Sequence, residues 1–493
     1  MEPQYIALLL LTSCFYFLYR LMPSLQEPTR AVPGPFVARF SSLWYFSRLY
    51  SGQFHDENVE LHEKWGNIVR LAPNMYSIDD PEATKILYGP GTRFWKSDWY
   101  SVWGSPAIAS VNLFALQDTK VHASVRRQYA SYFAMSSVVG YEDYIDNVTD
   151  VFCAKLEEYA AAATVIDFGH WLQCYAFDVI AKITFGERFG FLDAGHDIGS
   201  IMSNLESFGL YSTLTGVYPC IHRLISRLNP KQANNYLVDF TVSKLEARRI
   251  AFEQGKPLPD TLDFCTKFAV ANEKSPETFS PLHVIVGAGS NIAAGSETTS
   301  IALSSILANL LNSPTVLQKV RQEIKNARDK GAVSRPITFA QAQGLKYLQA
   351  VVKEGMRLHP SAALPLWRNV PEGGATIAGQ YFRAGTVVGI NPWVAHRNQS
   401  IFGPDAKSFR PERWLEASSE QAAAMERYWI PFGMGARTCI GKNISFLEIS
   451  KLLPELVQRF DLEQVEPQEM KNINRWFVKQ KNFKVRFKAR DDF

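Results

Sequence analysis

No two of the six cysteines stand close together in this sequence: they fall at positions 14, 153, 174, 220, 265 and 439. Such scatter offers neither a disulfide framework nor the paired thiols of a zinc site, and it fits a reducing compartment. Charge of one sign is also lacking. Lys and Arg number 52 against 48 Asp and Glu, a net charge of +4, too weak to point to nucleic acid. The apolar run at the N-terminus, Tyr5–Leu18 followed by Tyr19-Arg20-Leu21-Met22-Pro23, is short against the roughly 20 residues of a spanning helix. Glu2, the lack of a basic leader and the lack of a small-residue cleavage site argue against a signal peptide. Arg20, Arg30, Arg39 and Arg48 all follow the run, so the positive-inside bias puts the remainder in the cytosol. The expectation is an anchor over residues 1–22, a proline-rich hinge over 23–36 that contains Pro33-Gly-Pro35, and one domain over 37–493.

What is present is material for a large core, with a hydrophobic fraction of 46% and an aromatic fraction of 13%. The pattern is mainly helical. A helix is expected over Phe54–Trp65. A hairpin is expected from Ile68–Ala72 and Met75–Ile78 around Pro73-Asn74, then a short helix from Pro81 to Tyr88. Together these make a small β-containing lobe. Lys96–Asp118 is aromatic and irregular, and a helix begins near Lys120. It carries His122 and Arg126, four apart on one face, with Arg127 beside them. From Ser137 to Asn272 the pattern is mostly helical, broken around Thr215-Gly-Val-Tyr-Pro219.

Ser280 to Asn312 reads as one helix of about 45–50 Å, with Ser280 as cap and Pro281 in the first turn. Gly287, Gly289 and Gly295 sit inside it, each worth about 1 kcal/mol less than alanine. Small residues around them would let the helix approach a flat ligand closely. Thr298 can bond back to the Ala294 carbonyl. Glu354 and Arg357 share a helix face three residues apart. Leu364-Pro-Leu-Trp-Arg368 reads as extended, and Gly385–Asn391 as a strand.

The densest motif is Phe432-Gly-Met-Gly-Ala-Arg-Thr-Cys-Ile-Gly441. It sets Cys439 in a Gly-rich loop ahead of an amphipathic run, Lys442 to Phe460. Backbone N–H groups and the helix dipole there favour an anion, which would lower the thiol pKa. A thiolate so placed can be a nucleophile, a redox cysteine or a metal ligand. Gly435 and Gly441 permit tight turns and close approach, and Arg437 can bond a carboxylate. Pro454 should kink or end the final helix.

This decapeptide resembles the haem-binding signature of the cytochrome P-450 family: Phe, two residues, Gly, one residue, Arg, one residue, Cys, one residue, Gly. Phe432, Gly435, Arg437, Cys439 and Gly441 all match, a coincidence of about one in ten thousand at average residue frequencies. Three further motifs follow in kind. Ala294-Gly-Ser-Glu-Thr-Thr299 matches the family's acid–alcohol pattern, Glu354-x-x-Arg357 with Arg413 matches its structural lock, and His122-x-x-x-Arg126 matches Trp-x-x-x-Arg with His in the Trp position. The resemblance implies a mainly α fold with a large helical domain and a small β-rich lobe. Haem b lies between the distal helix and the Cys-loop, its iron ligated by the Cys439 thiolate. His122, Arg126 and Arg368 serve the propionates. Thr298 and Glu297 deliver protons to the reacting oxygen. Glu354, Arg357 and Arg413 are structural. Trp103, Ile108, Phe114 and Leu364 contact substrate.

The implied activity is a monooxygenase that oxidises an apolar small molecule, first a secondary-metabolite intermediate, second a plant defence compound or other xenobiotic. A reductase-independent isomerase or peroxygenase is the alternative. Electrons would come from NADPH through a reductase, with a cytochrome b-type donor as a further source. The site would be the endoplasmic-reticulum membrane. Lys442 and Lys451 could help form a basic reductase-docking face, with scattered surface lysines as the default reading. Within the family, Pro33-Gly-Pro-Phe36, Lys96-Ser-Asp-Trp99 and Val121-His-Ala-Ser124 are similar to filamentous-fungal members related to pisatin demethylase.

Overall fold

The computed structural model describes residues 28–104, 108–228, 236–254 and 262–490. The anchor expected over residues 1–22 and the start of the hinge lie outside these. Among the described residues no single helix is long and apolar enough to cross a membrane.

The β lobe is one five-stranded sheet built from distant parts of the chain. Its strands are β1 (Ile68–Ala72), β2 (Met75–Ile78), β3 (Trp95–Lys96), β4 (Arg368–Asn369) and β5 (Val387–Gly389), in the order β1-β2-β5-β4-β3. The expected hairpin is β1–β2, paired antiparallel. The stretch 364–368 joins the ladder only at its end, and β5 is shorter than 385–391 because only three residues find a partner on β2. A C-terminal hairpin, β6 (Lys471–Arg475) and β7 (Phe477–Lys481), turns on the single residue Trp476.

Seven helices matter for the site: α1 (Thr119–Ala130), α2 (Glu142–Ala161), α3 (Phe168–Phe185), α4 (Ile201–Thr215), α5 (Pro281–Leu311), α6 (Lys346–Leu358) and α7 (Lys442–Arg459). Asp118 starts α1 by accepting from the Lys120 and Val121 N–H groups at 2.8 and 2.9 Å. α5 is capped through Ser280, whose N–H donates to His283 Nδ1 at 3.1 Å. It runs through the main core, packed on α3, α6 and α7. Two of its glycines serve this packing rather than a ligand. A Cβ on Gly295 would come within 2.9 Å of Ile180, and one on Gly287 within 2.8 Å of Tyr129.

Pro454 neither ends nor interrupts α7, which continues to Arg459. Leu452, Leu453, Leu456 and Val457 are fully buried, so side-chain packing holds the turn that lacks one backbone donor. Lys451 is likewise not a surface cation. It is 2% exposed and donates to Glu142 and to the Ile337 carbonyl at 2.8 and 2.5 Å, with Asp146 at 2.9 Å. It ties α7 to α2. Lys442 is exposed.

Candidate active site

The Cys-loop is closed by its own backbone. The Cys439 N–H donates to the Phe432 carbonyl at 2.8 Å and Thr438 N–H to Gly435 at 3.1 Å. Phe432 packs against Trp429 and Phe446, which fixes the loop to α7. Gly435 has φ +65°, and a Cβ there would lie 1.8 Å from the Tyr88 carbonyl oxygen. Cys439 is solvent-accessible although it lies deep among protein atoms. Burial pushes its pKa up, not down as the helix-start position alone would suggest. The N–H groups of Gly441 and Lys442 and the Arg126 guanidinium oppose that rise without cancelling it.

α5 packs on α7, the helix that follows Cys439. Most of its central residues are buried, but Ser290 and Ala294 are exposed and Thr298 partly so. Spaced four apart, these three share one face. Thr298 Oγ1 donates to the Ala294 carbonyl at 2.7 Å, the expected back-bond, and its own carbonyl accepts from Ser361 Oγ at 2.9 Å. The next residue, Thr299, is hydrogen-bonded to Ser445 of α7 at 3.0 Å. That contact joins the helix carrying Glu297-Thr298 to the helix that follows Cys439. Glu297 is buried, and burial raises its carboxyl pKa while Lys479 counteracts.

Positive charge collects around His122, beside the Cys-loop. Arg126, Arg368, Arg437 and Lys96 all act on the neutral ring of His122, whose pKa falls to about 3, chiefly through burial. The His122 ring and the Arg126 guanidinium make no hydrogen bond to protein among the described residues. Arg437 differs from expectation. It donates to the Leu116, Gln117 and Asp118 carbonyls at 2.7, 3.0 and 3.4 Å, locking the Cys-loop to the start of α1. Arg368 donates to the Trp367 carbonyl at 2.9 Å and lies 4.8 Å over the Tyr88 ring.

Behind the Cys-loop, Glu354 is fully buried and fully partnered. It accepts from Arg357 twice at 2.8 Å, from Arg413 Nε and Trp414 Nε1 at 2.9 Å, and from the Arg410 N–H at 2.9 Å. Arg357 donates onward to the His396 carbonyl at 2.5 Å, and His396 Nε2 accepts from the Ile430 N–H at 2.8 Å. This network reaches within two residues of Phe432.

Residues 32–487 match the family model described as Cytochrome P450. The chain belongs to the cytochrome P450 family. This P450 is 36% identical over 474 residues to pisatin demethylase of Fusarium vanettenii, covering 94% of this chain and 90% of that one. It is 35% identical over 491 residues to the cytochrome P450 monooxygenase cicH of Emericella nidulans, covering 98% and 97%. A cytochrome P450 monooxygenase of Aspergillus terreus is 37% identical over 450 residues, covering 88% and 90%. The enzyme is therefore a haem-thiolate monooxygenase that takes electrons from a redox partner and acts on a small molecule, and its helical domain with a small β lobe is the P450 fold.

The P450's expected substrate contacts divide. Trp103 is partly exposed, Phe114 is 37% exposed and Ile108 is partly exposed. Leu364 is fully buried in the cluster of Tyr45, Phe54, Trp99 and Trp367, so it is core and presents no accessible surface to a substrate. Sequence reading missed Trp476. Its φ is +79°, unusual for a bulky residue. It packs on Trp99, Tyr100, Trp103 and Phe114 with centroids 4.7 to 6.1 Å away. A one-residue turn carries no spacing signal, so nothing marked it. Ser361, His396 and Trp414 were missed for the same reason, since each acts through a contact remote in sequence.

Proposed function

We propose that this P450 oxidises an apolar secondary-metabolite intermediate in a filamentous fungus, with haem b held by Cys439 and electrons drawn from NADPH through a membrane reductase. The observation that carries the haem assignment is the cation cluster beside the Cys-loop. Arg126, Arg368, Arg437 and Lys96 converge there with no carboxylate in ion-pair contact among the described residues, a donor set suited to a dianionic cofactor. The exposed small-residue face of α5 and the accessible thiol fit a flat group between them. When bound, haem iron with a thiolate ligand supplies dioxygen cleavage and transfer of one oxygen atom to carbon.

The chain's own residues do the rest. The Gly441 and Lys442 N–H groups stabilise negative charge on Cys439 Sγ. His122 and Arg126 offer unused donors to carboxylates. Glu297, its pKa raised by burial, holds a proton nearer neutrality and passes it toward the Thr298 hydroxyl. Retention of this pair speaks against a reductase-independent isomerase or peroxygenase. Trp103, Ile108 and Phe114 present an aromatic and aliphatic surface to an apolar substrate. Glu354, Arg357 and Arg413 hold the thiolate side rigid. Residues 1–22 anchor the domain to the endoplasmic reticulum, and Lys442 faces the reductase.

The relative named pisatin demethylase favours a second reading, oxidative demethylation of a plant defence compound. Both readings meet the same first test: the absorption spectrum of reduced enzyme under carbon monoxide, beside Cys439→Ala. A strongly red-shifted Soret band lost in the variant is expected. A histidine-type band in folded, haem-loaded wild type would overturn the thiolate assignment. Products from O-methylated and unmethylated candidate substrates then separate demethylation from hydroxylation.

A further inference from the structure

We propose that Lys353 is a positioning residue for the Cys439 sulfur, acting through a pair of indoles that it clamps behind the Cys-loop; this rests on the reading of Cys439 as the haem ligand. Lys353 stands on α6 immediately before Glu354 and grips Trp429 twice. Its carbonyl accepts from Trp429 Nε1 at 3.2 Å. Its ammonium lies 5.4 Å from the centroid of the Trp429 ring and 4.2 Å from that of Trp414. These two indoles meet edge to face, with centroids 6.4 Å apart. An ammonium over ring faces is attracted by their quadrupoles, the more so where water is excluded, and the Lys353 side chain is only 24% exposed. Trp414 is itself fixed, because its Nε1 donates to the buried Glu354 at 2.9 Å. The cation therefore holds Trp429 against an immobile partner. Trp429 packs on Phe432 with centroids 6.3 Å apart. The Phe432 carbonyl in turn accepts from the Cys439 N–H at 2.8 Å and from Thr438 Oγ1 at 3.3 Å. A displaced Trp429 would release Phe432, and with it the backbone bond that sets the direction of the Cys439 side chain.

The competing role is an ordinary ion pair. Lys353 also meets the Glu426 carboxylate, whose side chain is 55% exposed, and pairs so exposed contribute little. Lys353→Met keeps the stem and removes the cation. Lys353→Arg keeps a cation that stacks on indole, and Glu426→Gln removes the ion pair alone. Each holoenzyme is reduced under carbon monoxide at a temperature well below its melting point. The rate at which the strongly red-shifted Soret band converts to the ordinary one is then followed. If Lys353 positions the sulfur, Lys353→Met converts about fivefold faster or more. Lys353→Arg and Glu426→Gln stay within about twofold of wild type. In Trp429→Leu, where the clamp is already lost, adding Lys353→Met changes the rate by less than about twofold, as expected of residues acting through one contact. A wild-type rate in Lys353→Met, with only a lower melting temperature, would overturn the proposal. So would Glu426→Gln or Lys353→Arg matching Lys353→Met, or full multiplication of the two effects in the double variant. Wild type that takes up no haem, or shows a histidine-type band from the start, would instead overturn the reading of Cys439, a result distinct from these.

Discussion

Gly435 shows how little choice a single position can have. Its φ of +65° disfavours any side chain, and a Cβ would strike the Tyr88 carbonyl oxygen. Gly435→Ala must push the Cys-loop away from Tyr88, at about 1–3 kcal/mol for overpacking. The ratio of Soret to protein absorbance in purified enzyme should drop severalfold. The acid–alcohol pair gives a second prediction. Thr298→Ala should keep the carbon monoxide spectrum, yet shift NADPH consumption from product toward peroxide, read by measuring both together. Glu448 gives a third. It is buried with Oε1 unpartnered, and burial pushes its pKa well above the carboxylate range. The folded protein therefore keeps a proton that the unfolded chain releases. Stability falls as pH rises above the unfolded value near 4.5, by up to about 1.4 kcal/mol per pH unit while the linkage lasts. Glu448→Gln should raise the melting temperature more at pH 8 than at pH 5.

At the scale of elements, the decisive features are close approaches between helices. α6 reaches α5 through Gly355, where a Cβ would lie 2.5 Å from Ile306, and Ser305 Oγ donates to the Gly355 carbonyl at 3.3 Å. Gly355→Val would force the two helices apart, and with them the Glu354 lock that backs the Cys-loop. A loss of stability of about 1–3 kcal/mol is expected, with a rise in the inactive carbon monoxide band in unfolding scans. α7 teaches a different point. A proline in its sequence signals a break, and an isolated helix would break there. In the protein, buried leucines on neighbouring turns hold the helix together past Pro454, so packing overrides propensity. Lys451 reads as surface charge in sequence because lysine seldom goes under. Two acids of α2 and one carbonyl make its burial tolerable.

The whole molecule carries an acid-sensitive core. Trp393 is flanked by His55 and His359, with centroids 4.8 and 4.7 Å away. Burial depresses their pKa values to about 4 and about 3. Both stay neutral in the folded state while the unfolded chain takes up protons below about 6.5. The stability they contribute is thus present above pH 6.5 and lost as pH falls toward 4. Melting temperature should decline steadily from pH 7 to pH 5, and His359→Gln should flatten that decline. An unchanged profile would show that other groups govern acid unfolding.

Sequence alone determined the family, the Cys-loop, the distal helix, the β1–β2 hairpin and the Glu354–Arg357 pairing. Each is encoded by residues near one another in the chain, where spacing, capping and glycine requirements leave a local pattern. Tertiary structure decided what depends on distant segments meeting. It turned Gly287 and Gly295 to helix packing, buried Leu364 fully, and tied Arg437 to the carbonyls before α1. It set Lys96 beside Arg368 from 272 positions away, and held Trp476 over an aromatic cluster from the 99–114 loop. Desolvation is the common reason. It reverses the pKa shift expected at Cys439 and holds His122 neutral, and burial depth is fixed only when the whole chain has packed.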